Sequence, residues 1–504
     1  MSIPPFMIEK EKINLAILLL ISLLLSLYLF FRTYVISLDG AFQFIPLAKD
    51  FASGLFGKAL THGQQPLYPF LIALVSQWVS DFELAGKLVS TLFGILLIFP
   101  VYFLGKRIFD EKIAFLSSLL LVVHPYLRRF SADVLKESTY LFFFAAALWF
   151  AWKAIQEEKK YAFFFVPICS VIACLVRPDG VEVLLIAFFY ILFIKKFSIP
   201  KRKRTVILLL ILSSVLLLLP YLVYLREIRG AWTFSKAKSL GWMLGLEIIG
   251  DQVPFTQKIF YSLKRLNSEI PPLFTPSYIF LLTVGLMKKI FSPRKTGEGF
   301  LLSFGLFHLV VLFLMVLNTT QWGAEKTVSA DHLSGRHGLP LLLISIFWVG
   351  QGFMAIHQWI SKKIESHPLM QRIDSKKRPS IIFIVLLVLL LAIVLPKTLK
   401  SQRYERLPEK WAGIWIKNQS GQGATIFTTV PRVAYYAEGS YEFVDFRKNG
   451  LEEMKRLTEE KKGVYLVIRE KEASFLSSGD RWIVEVKRLG GKGLETIIVY
   501  QKIR

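Results

Sequence analysis

The chain alternates between long apolar runs and short charged segments. Runs with no charge, or almost none, lie at 13–31, 88–104, 113–127, 138–152, 161–176, 180–194, 205–225, 271–287, 299–324, 338–360 and 379–396. A helix needs roughly 20 apolar residues to cross a bilayer, and Phe- and Trp-rich ends extend the shorter runs. The pattern predicts a mostly α-helical polytopic membrane unit over 1–396, with about eleven spans. A further apolar stretch, PLYPFLIALVSQWVS at 66–80, is short and holds two prolines. It is predicted to lie flat at the membrane surface or to re-enter. Beyond 396 the period changes. Alternating runs at 424–430, 463–470, 481–489 and 495–503 read as strands, with helical stretches near 408–418 and 450–461. Residues 397–504 are therefore expected to form a small α/β domain.

Lysine and arginine orient the spans. With the N-terminus cytoplasmic, the inner segments are 1–12, 105–112, 153–160, 195–204, 288–298 and 361–378. They hold 24 Lys and Arg in 67 residues, against 17 in 132 residues of the short outer segments. That bias follows the positive-inside rule. Counting 66–80 as a span would turn the basic 195–204 and 361–378 loops outward, which supports the surface reading. The first run carries no cleavage pattern after it and reads as an uncleaved span. On this topology the long first loop, 32–87, and the tail face outward from the plasma (inner) membrane. Long loops of this kind usually carry function.

Composition narrows the class. The chain is 54% hydrophobic with a mean hydropathy of +0.48, above the roughly 45–50% of soluble domains. A soluble enzyme, a disordered chain and a disulfide scaffold are excluded. Cys169 and Cys174, the two cysteines, share one apolar run and read as packing residues. The net charge of +25 sits between the spans, so it signals topology and an anionic lipid surface, with no nucleic-acid partner. There is no Walker A loop, no GxGxxG before a helix, no HExxH and no CxxC. Seven scattered histidines do not suggest a structural zinc site. No cofactor is implied, and a divalent cation stays open.

Candidate chemistry gathers on one face. Asp39, in ISLDGAFQF, follows the first span by a few residues and reads either as a helix N-cap or as a membrane-boundary carboxylate. After it, Phe42, Ile45, Leu47, Phe51 and Leu55 form an amphipathic stretch. In HPYLRRFSADVLKEST, Asp133 and Glu137 are four apart and would share a helix face beside Arg129 and Lys136. Pairing within that loop is the plain alternative. Arg177 opens an Arg-Pro-Asp-Gly turn and Arg336-His337 precede a later span; both arginines read equally as snorkelling residues. With His62, these groups come from four loops and map to one face. Arginines at an apolar boundary suit a lipid phosphate, and a carboxylate there can take a proton from a hydroxyl.

The stretches LDGAFQF (38–44), HGQQPLYPFLIAL (62–74), ADVLKESTYLFFF (132–144), LVRPDG (175–180) and GRHGLPLL (335–342) resemble the GT-C superfamily of glycosyltransferases. The likeness is to its family-39-like members, which include protein O-mannosyltransferases and lipid A aminoarabinose transferases. It covers roughly 30–350. The resemblance implies transfer of a sugar, with inversion, from a polyprenyl-phosphate carrier to a hydroxyl acceptor on the outer face of the bilayer. It implies Asp39 as the catalytic base and Glu137, more than Asp133, as the second-loop carboxylate. Arg129, Arg177 and Arg336 become candidate carrier-phosphate partners, and His62, Lys136 and His337 further substrate-binding positions. A horizontal helix after the first span is a family feature as well. The sequence departs from the family at Asp39-Gly40, where many members carry two acids, at Gln65-Pro66, where many carry two prolines, and at Arg336-His337, where Arg-Tyr is usual. A multispan lipid or polyprenyl-phosphate flippase or transporter is the alternative. Acids clustered at one surface favour surface chemistry over alternating access. The tail, joined through KTLKSQRYERLPEK, is expected to position the acceptor.

The topology has a direct test. Impermeant thiol labelling from outside should mark Gln64→Cys and Ser420→Cys and spare Pro368→Cys. External labelling at position 368 would contradict the eleven-span arrangement.

Overall fold

The computed structural model describes residues 5–157, 160–193, 200–230, 254–290, 296–319, 333–364, 377–444, 464–476 and 482–502, with a few isolated positions between them. Each apolar run folds as helix. The helices are Pro5–Arg32, Phe82–Leu96 continued by Ile98–Ile108, Glu111–Val122, Glu137–Glu157, Lys160–Val176, Glu182–Phe193, Pro200–Arg229, Pro276–Ile290, Thr296–Thr319, Leu339–Ile364 and Arg378–Thr398. Among the described residues, seven helices are long and apolar enough to cross a membrane, or nine if two bent pairs each count as one span. The expected eleven runs are therefore present as helices of unequal length. Glu182–Phe193, at 12 residues, reaches only about 18 Å.

Prolines set the bends. The run 113–127 breaks by 62° between Glu111–Val122 and Pro125–Ser131. Pro125 lacks an N–H and drives the preceding His124 out of the helical region; His124 is extended, with ψ 125°. A second break of 103° separates Phe255–Leu273 from Pro276–Lys288. The 66–80 stretch forms a nine-residue helix, Leu67–Val75, about 14 Å long and so too short to span. It packs against Ile45–Ala52 and Phe82–Leu96.

Buried polar contacts and one close crossing hold the bundle. Arg128 is 1% exposed and ties the second loop to the first helix, donating to Ser22 Oγ (3.0 Å), Ser26 Oγ (2.8 Å) and the Gly94 carbonyl (3.2 Å). Pro276–Ile290 crosses Leu339–Ile364 through two glycines. A Cβ on Gly352 would lie 1.9 Å from the Leu281 carbonyl oxygen, and one on Gly285 would lie 2.0 Å from that of Trp348. Without water to drive helices together, such backbone approach is a main source of helix affinity in a membrane.

After Thr398 the chain forms an α/β unit. Its strands are β1 (Thr425–Thr428), β2 (Ser440–Phe443), β3 (Val464–Arg469), β4 (Ile483–Leu489) and β5 (Ile497–Lys502), in the sheet order β2-β1-β3-β5-β4. β1 pairs in parallel with β2 and β3, and the β3–β5 and β5–β4 pairs are antiparallel. The helices Leu407–Ser420 and Arg432–Ala437 cover one face, packing Ala412, Ile416, Val433 and Ala434 against Ile426, Val467 and Val499. Four strands and the first helix stand where the hydrophobic pattern predicts them. β2 has four mostly exposed residues and left no apolar signal. The helix expected at 450–461 lies outside the described residues.

Gly352→Val should lower stability by at least about 1–3 kcal/mol, the usual cost of overpacking, because the clash is with backbone. Thermal unfolding of the protein in nanodiscs, followed by tryptophan fluorescence, reads this out. An unchanged midpoint would contradict the crossing.

Candidate active site

The first helix ends at Arg32, and a non-helical segment follows before a five-residue π-turn, Gly40–Phe44, that leads into Ile45–Ala52. Asp39 stands at the head of that turn, but its side chain makes no capping hydrogen bond. An N-cap needs an extended backbone to aim its oxygen at the first free N–H groups. Asp39 is helical, with φ −61° and ψ −40°. The capping reading therefore fails, and the carboxylate accepts from Arg336 Nη1 instead. Gly40 answers one departure from the family pattern. A Cβ there would sit 2.9 Å from both Ser37 Oγ and Val134 Cβ, so a second acid has no room.

The second carboxylate comes from another loop. Glu137 opens the helix Glu137–Glu157. It is fully buried, and neither carboxylate oxygen has a hydrogen-bond partner among the described residues. Arg336 Nη1 lies 3.7 Å from Glu137 Oε1, so one guanidinium faces two carboxylates. A buried carboxylate needs such a partner to remain charged.

Asp133 does not share a helix face with Glu137, because the helix begins at Glu137 and Asp133 lies in the turn before it. Its carboxylate accepts from Val134 N (2.8 Å), Ser37 N (3.3 Å) and Arg403 Nη2 (2.5 Å). Asp133 thus ties three chain segments together through Ser37, Val134 and Arg403.

Arg177 is 4% exposed, which rules out snorkelling. It grips Asp179 with two donors, Nε to Oδ1 at 3.1 Å and Nη2 to Oδ2 at 2.9 Å. It stacks over the Tyr140 ring at 4.8 Å and donates Nη1 to the Arg336 carbonyl at 3.2 Å. The next carbonyl, that of His337, faces His308 Nε2 at 2.9 Å, while His308 Nδ1 meets Glu182 Oε2 at 2.6 Å. The Gly335–Gly338 turn is thereby held from two sides, with Arg336 presented to the acids. His337 turns its own Nδ1 toward Ser334 N at 3.1 Å. The sequence reading did not single out His308. Its signal was an ionisable residue within an apolar run, which is a candidate by default.

Lys136 donates to Gln64 Oε1 at 3.1 Å and lies 5.6 Å from the centre of the Phe44 ring. Burial lowers its amine to about 8, with Arg177 pushing the same way. His62 is set beside this group, its Nδ1 accepting from Gln64 N at 3.3 Å. Arg129 is exposed; its carbonyl accepts from Gln402 Nε2 at 3.3 Å, and its side chain joins no described contact of the cluster. Among the described residues no group of three His, Cys, Asp or Glu side chains converges to hold a metal. The arrangement offers a carboxylate at Asp39, a guanidinium shared with a buried acid, and an amine, groups whose chemistry can bind an anion and accept a proton.

Comparison with known proteins supplies the context. The family model described as dolichyl-phosphate-mannose-protein mannosyltransferase matches residues 62–224. No curated protein matches the chain in sequence. Among solved structures, ArnT from Cupriavidus metallidurans bound to undecaprenyl phosphate is similar with a TM-score of 0.60 at 13% identity, covering 97% of this chain and 98% of that one. The archaeal oligosaccharyltransferase AglB from Archaeoglobus fulgidus, in complex with an inhibitory peptide and a dolichol-phosphate, is similar with a TM-score of 0.56 at 14% identity, covering 92% of this chain and 70% of that one. The resemblance to GT-C glycosyltransferases holds, and the fold is of their polytopic type with a small C-terminal sheet.

Proposed function

We propose that this protein is a membrane glycosyltransferase that takes a hexose or pentose from a polyprenyl-phosphate carrier and transfers it to a hydroxyl of a protein, lipid or glycan. The observation that carries the reading is the convergence of Asp39, Glu137 and Arg336 from three distant parts of the chain. The match of 62–224 to a dolichyl-phosphate-mannose-dependent family and the undecaprenyl phosphate in the similar ArnT structure support the donor class. The Lys/Arg bias supports placement of the site on the outer face of the plasma membrane, with the N-terminus inside and the α/β tail outside.

In this mechanism the acceptor oxygen attacks the anomeric carbon while the carbon–oxygen bond to phosphate breaks on the opposite side. The hydroxyl proton passes to Asp39, and the carrier phosphate leaves with the bonding electrons. Arg336 and Lys136 hold that phosphate. The guanidinium supplies a planar fork suited to it, and the amine a compact charge. As the phosphate engages Arg336, Asp39 is released to act as the base. Glu137 keeps the guanidinium aimed and helps orient the acceptor. Arg177 acts through the Arg336 carbonyl. A phosphate leaves readily, so a single base suffices, unlike glycosidases, which flank the bond with two carboxylates. A transporter would place its charges near mid-membrane. Here Asp39, Lys136, Arg177 and Arg336 all sit at helix ends or in the turns between them, which favours surface chemistry.

Two measurements test this. Asp39→Asn keeps shape but removes the base, so turnover should fall by at least about a hundredfold, within the range of general-base catalysis. Binding of undecaprenyl phosphate should persist. Near-wild-type turnover would return Asp39 to a structural role. Separately, the Lys136 amine loses its charge as pH rises through about 8. Undecaprenyl phosphate binding should weaken above that pH in the wild type and lose this dependence in Lys136→Gln. A pH-independent wild type would remove Lys136 from the phosphate site.

A further inference from the structure

The segment that carries Asp39 has almost no hydrogen bonding of its own. The first helix stops at Arg32, and helical backbone resumes at Leu38. Between them, Val35, Ile36 and Ser37 are buried, so their backbone groups need partners. Most of those partners come from more than 350 residues away in sequence. Gln402 N donates to the Arg32 carbonyl (2.9 Å), and the Gln402 carbonyl accepts from Tyr34 N (3.3 Å). Arg403 Nε donates to the Val35 carbonyl at 2.6 Å. Ile36 N donates to Tyr436 Oη at 2.9 Å, and the Ile36 carbonyl accepts from Arg432 Nε at 2.9 Å. Ser37 differs: its carbonyl accepts from Ala41 N at 3.0 Å, and its N–H donates to Asp133 Oδ1, which is itself held by Arg403 Nη2 at 2.5 Å.

Two further observations point the same way. Arg403 adopts a left-handed backbone, φ 53°, which residues other than glycine rarely do. Such a conformation persists only where the surroundings over-determine it, and here its guanidinium bridges two separate chain segments. Arg432 is in turn steadied by Glu409 Oε2 at 3.2 Å, a carboxylate with no exposed surface. Beyond the buried segment, Ser37 Oγ accepts from Gly40 N (3.1 Å) and donates to the Val134 carbonyl (3.1 Å). Asp39 lies within that loop.

We propose that Arg403, with Asp133 as its counter-ion, is a positioning residue that fixes Asp39 for catalysis, so that the C-terminal α/β unit is a structural part of the active site. This rests on the reading of Asp39 as the base, and it extends the expected role of the tail beyond placing the acceptor. Holding a reacting group in register matters steeply: a misplacement of about 1 Å can cost roughly a hundredfold in rate.

The experiment uses the full-length protein in nanodiscs with a nitroxide attached at Leu38→Cys, an exposed position next to Asp39, in a background where Cys169 and Cys174 are replaced by Ser. Arg403→Ala and Asp133→Asn should each mobilise the label. They should lower kcat by about ten- to a hundredfold, with undecaprenyl-phosphate-mannose as donor and released undecaprenyl phosphate as readout. KM for the donor and binding of undecaprenyl phosphate should stay near wild type. Arg403→Lys should restore part of both signals. Lys417→Ala, which removes an exposed ion pair with Glu438 on the same unit, should change neither. A label as immobile in monodisperse Arg403→Ala as in the wild type, or a mobilised label with full kcat, would overturn the proposal. A wild-type protein that binds undecaprenyl phosphate yet transfers no sugar would count against the transferase reading alone, since the label still reports whether Arg403 fixes the segment.

Discussion

One guanidinium shared between two carboxylates organises the site end of this bundle. Arg336 meets Asp39 directly and Glu137 at 3.7 Å, and Glu137 has no hydrogen-bond partner of its own among the described residues. Of the three, only Glu137 is fully buried, and without Arg336 its charge would be left without a counter-ion. The surrounding structure reads as a set of devices that keep Arg336 in place. Arg177 and His308 grip consecutive carbonyls of its turn. Asp179 and Glu182 in turn hold those two side chains. In the proposed mechanism, the same guanidinium that satisfies these carboxylates receives the carrier phosphate.

A second constraint acts from the other side. The segment before Asp39 is buried without being helix or sheet, so side chains from beyond the last long helix complete its hydrogen bonding. The two units of the fold therefore meet at the segment that carries Asp39 rather than at a peripheral seam. This explains why a chain of such uneven helices keeps a small α/β unit beside them: the apolar helices position Glu137 and Arg336, and the α/β unit positions Asp39.

Much of this was legible in the order of residues. The helical runs and four of the five strands of the α/β unit follow from hydrophobic period, since burial in lipid or in a sheet core imposes it; the short 67–75 helix was set apart from the spans by its length, its prolines and the Lys/Arg bias. Charge placement and motif resemblance put Asp39, Glu137 and Arg336 on one face together with Asp133, Arg129, Arg177 and His62, without marking which of them meet. What stayed hidden was pairing. Asp133 and Glu137, four apart, suggested a shared helix face, yet a turn intervenes and sends one to Arg403 and the other toward Arg336. Arg177 at a membrane edge suggested snorkelling, although its partner Asp179 is only two residues away. His308 lay within an apolar run with nothing nearby in sequence to mark Glu182 as its partner. Gly40 read as a loss of a catalytic acid, whereas the packing of Ser37 and Val134 leaves no space for one. In each case the missing information is a contact between residues far apart in the chain, or the exact start of a helix, and hydrophobic period carries neither.

In the proposed mechanism Arg336 exchanges Asp39 for the carrier phosphate. A density map of the wild-type protein in a nanodisc with undecaprenyl phosphate would show that exchange. The account predicts the phosphate within hydrogen-bonding distance of the Arg336 guanidinium and the Lys136 amine, with the Asp39 carboxylate released toward open space. A phosphate seated elsewhere, with the Asp39–Arg336 pair intact, would contradict it.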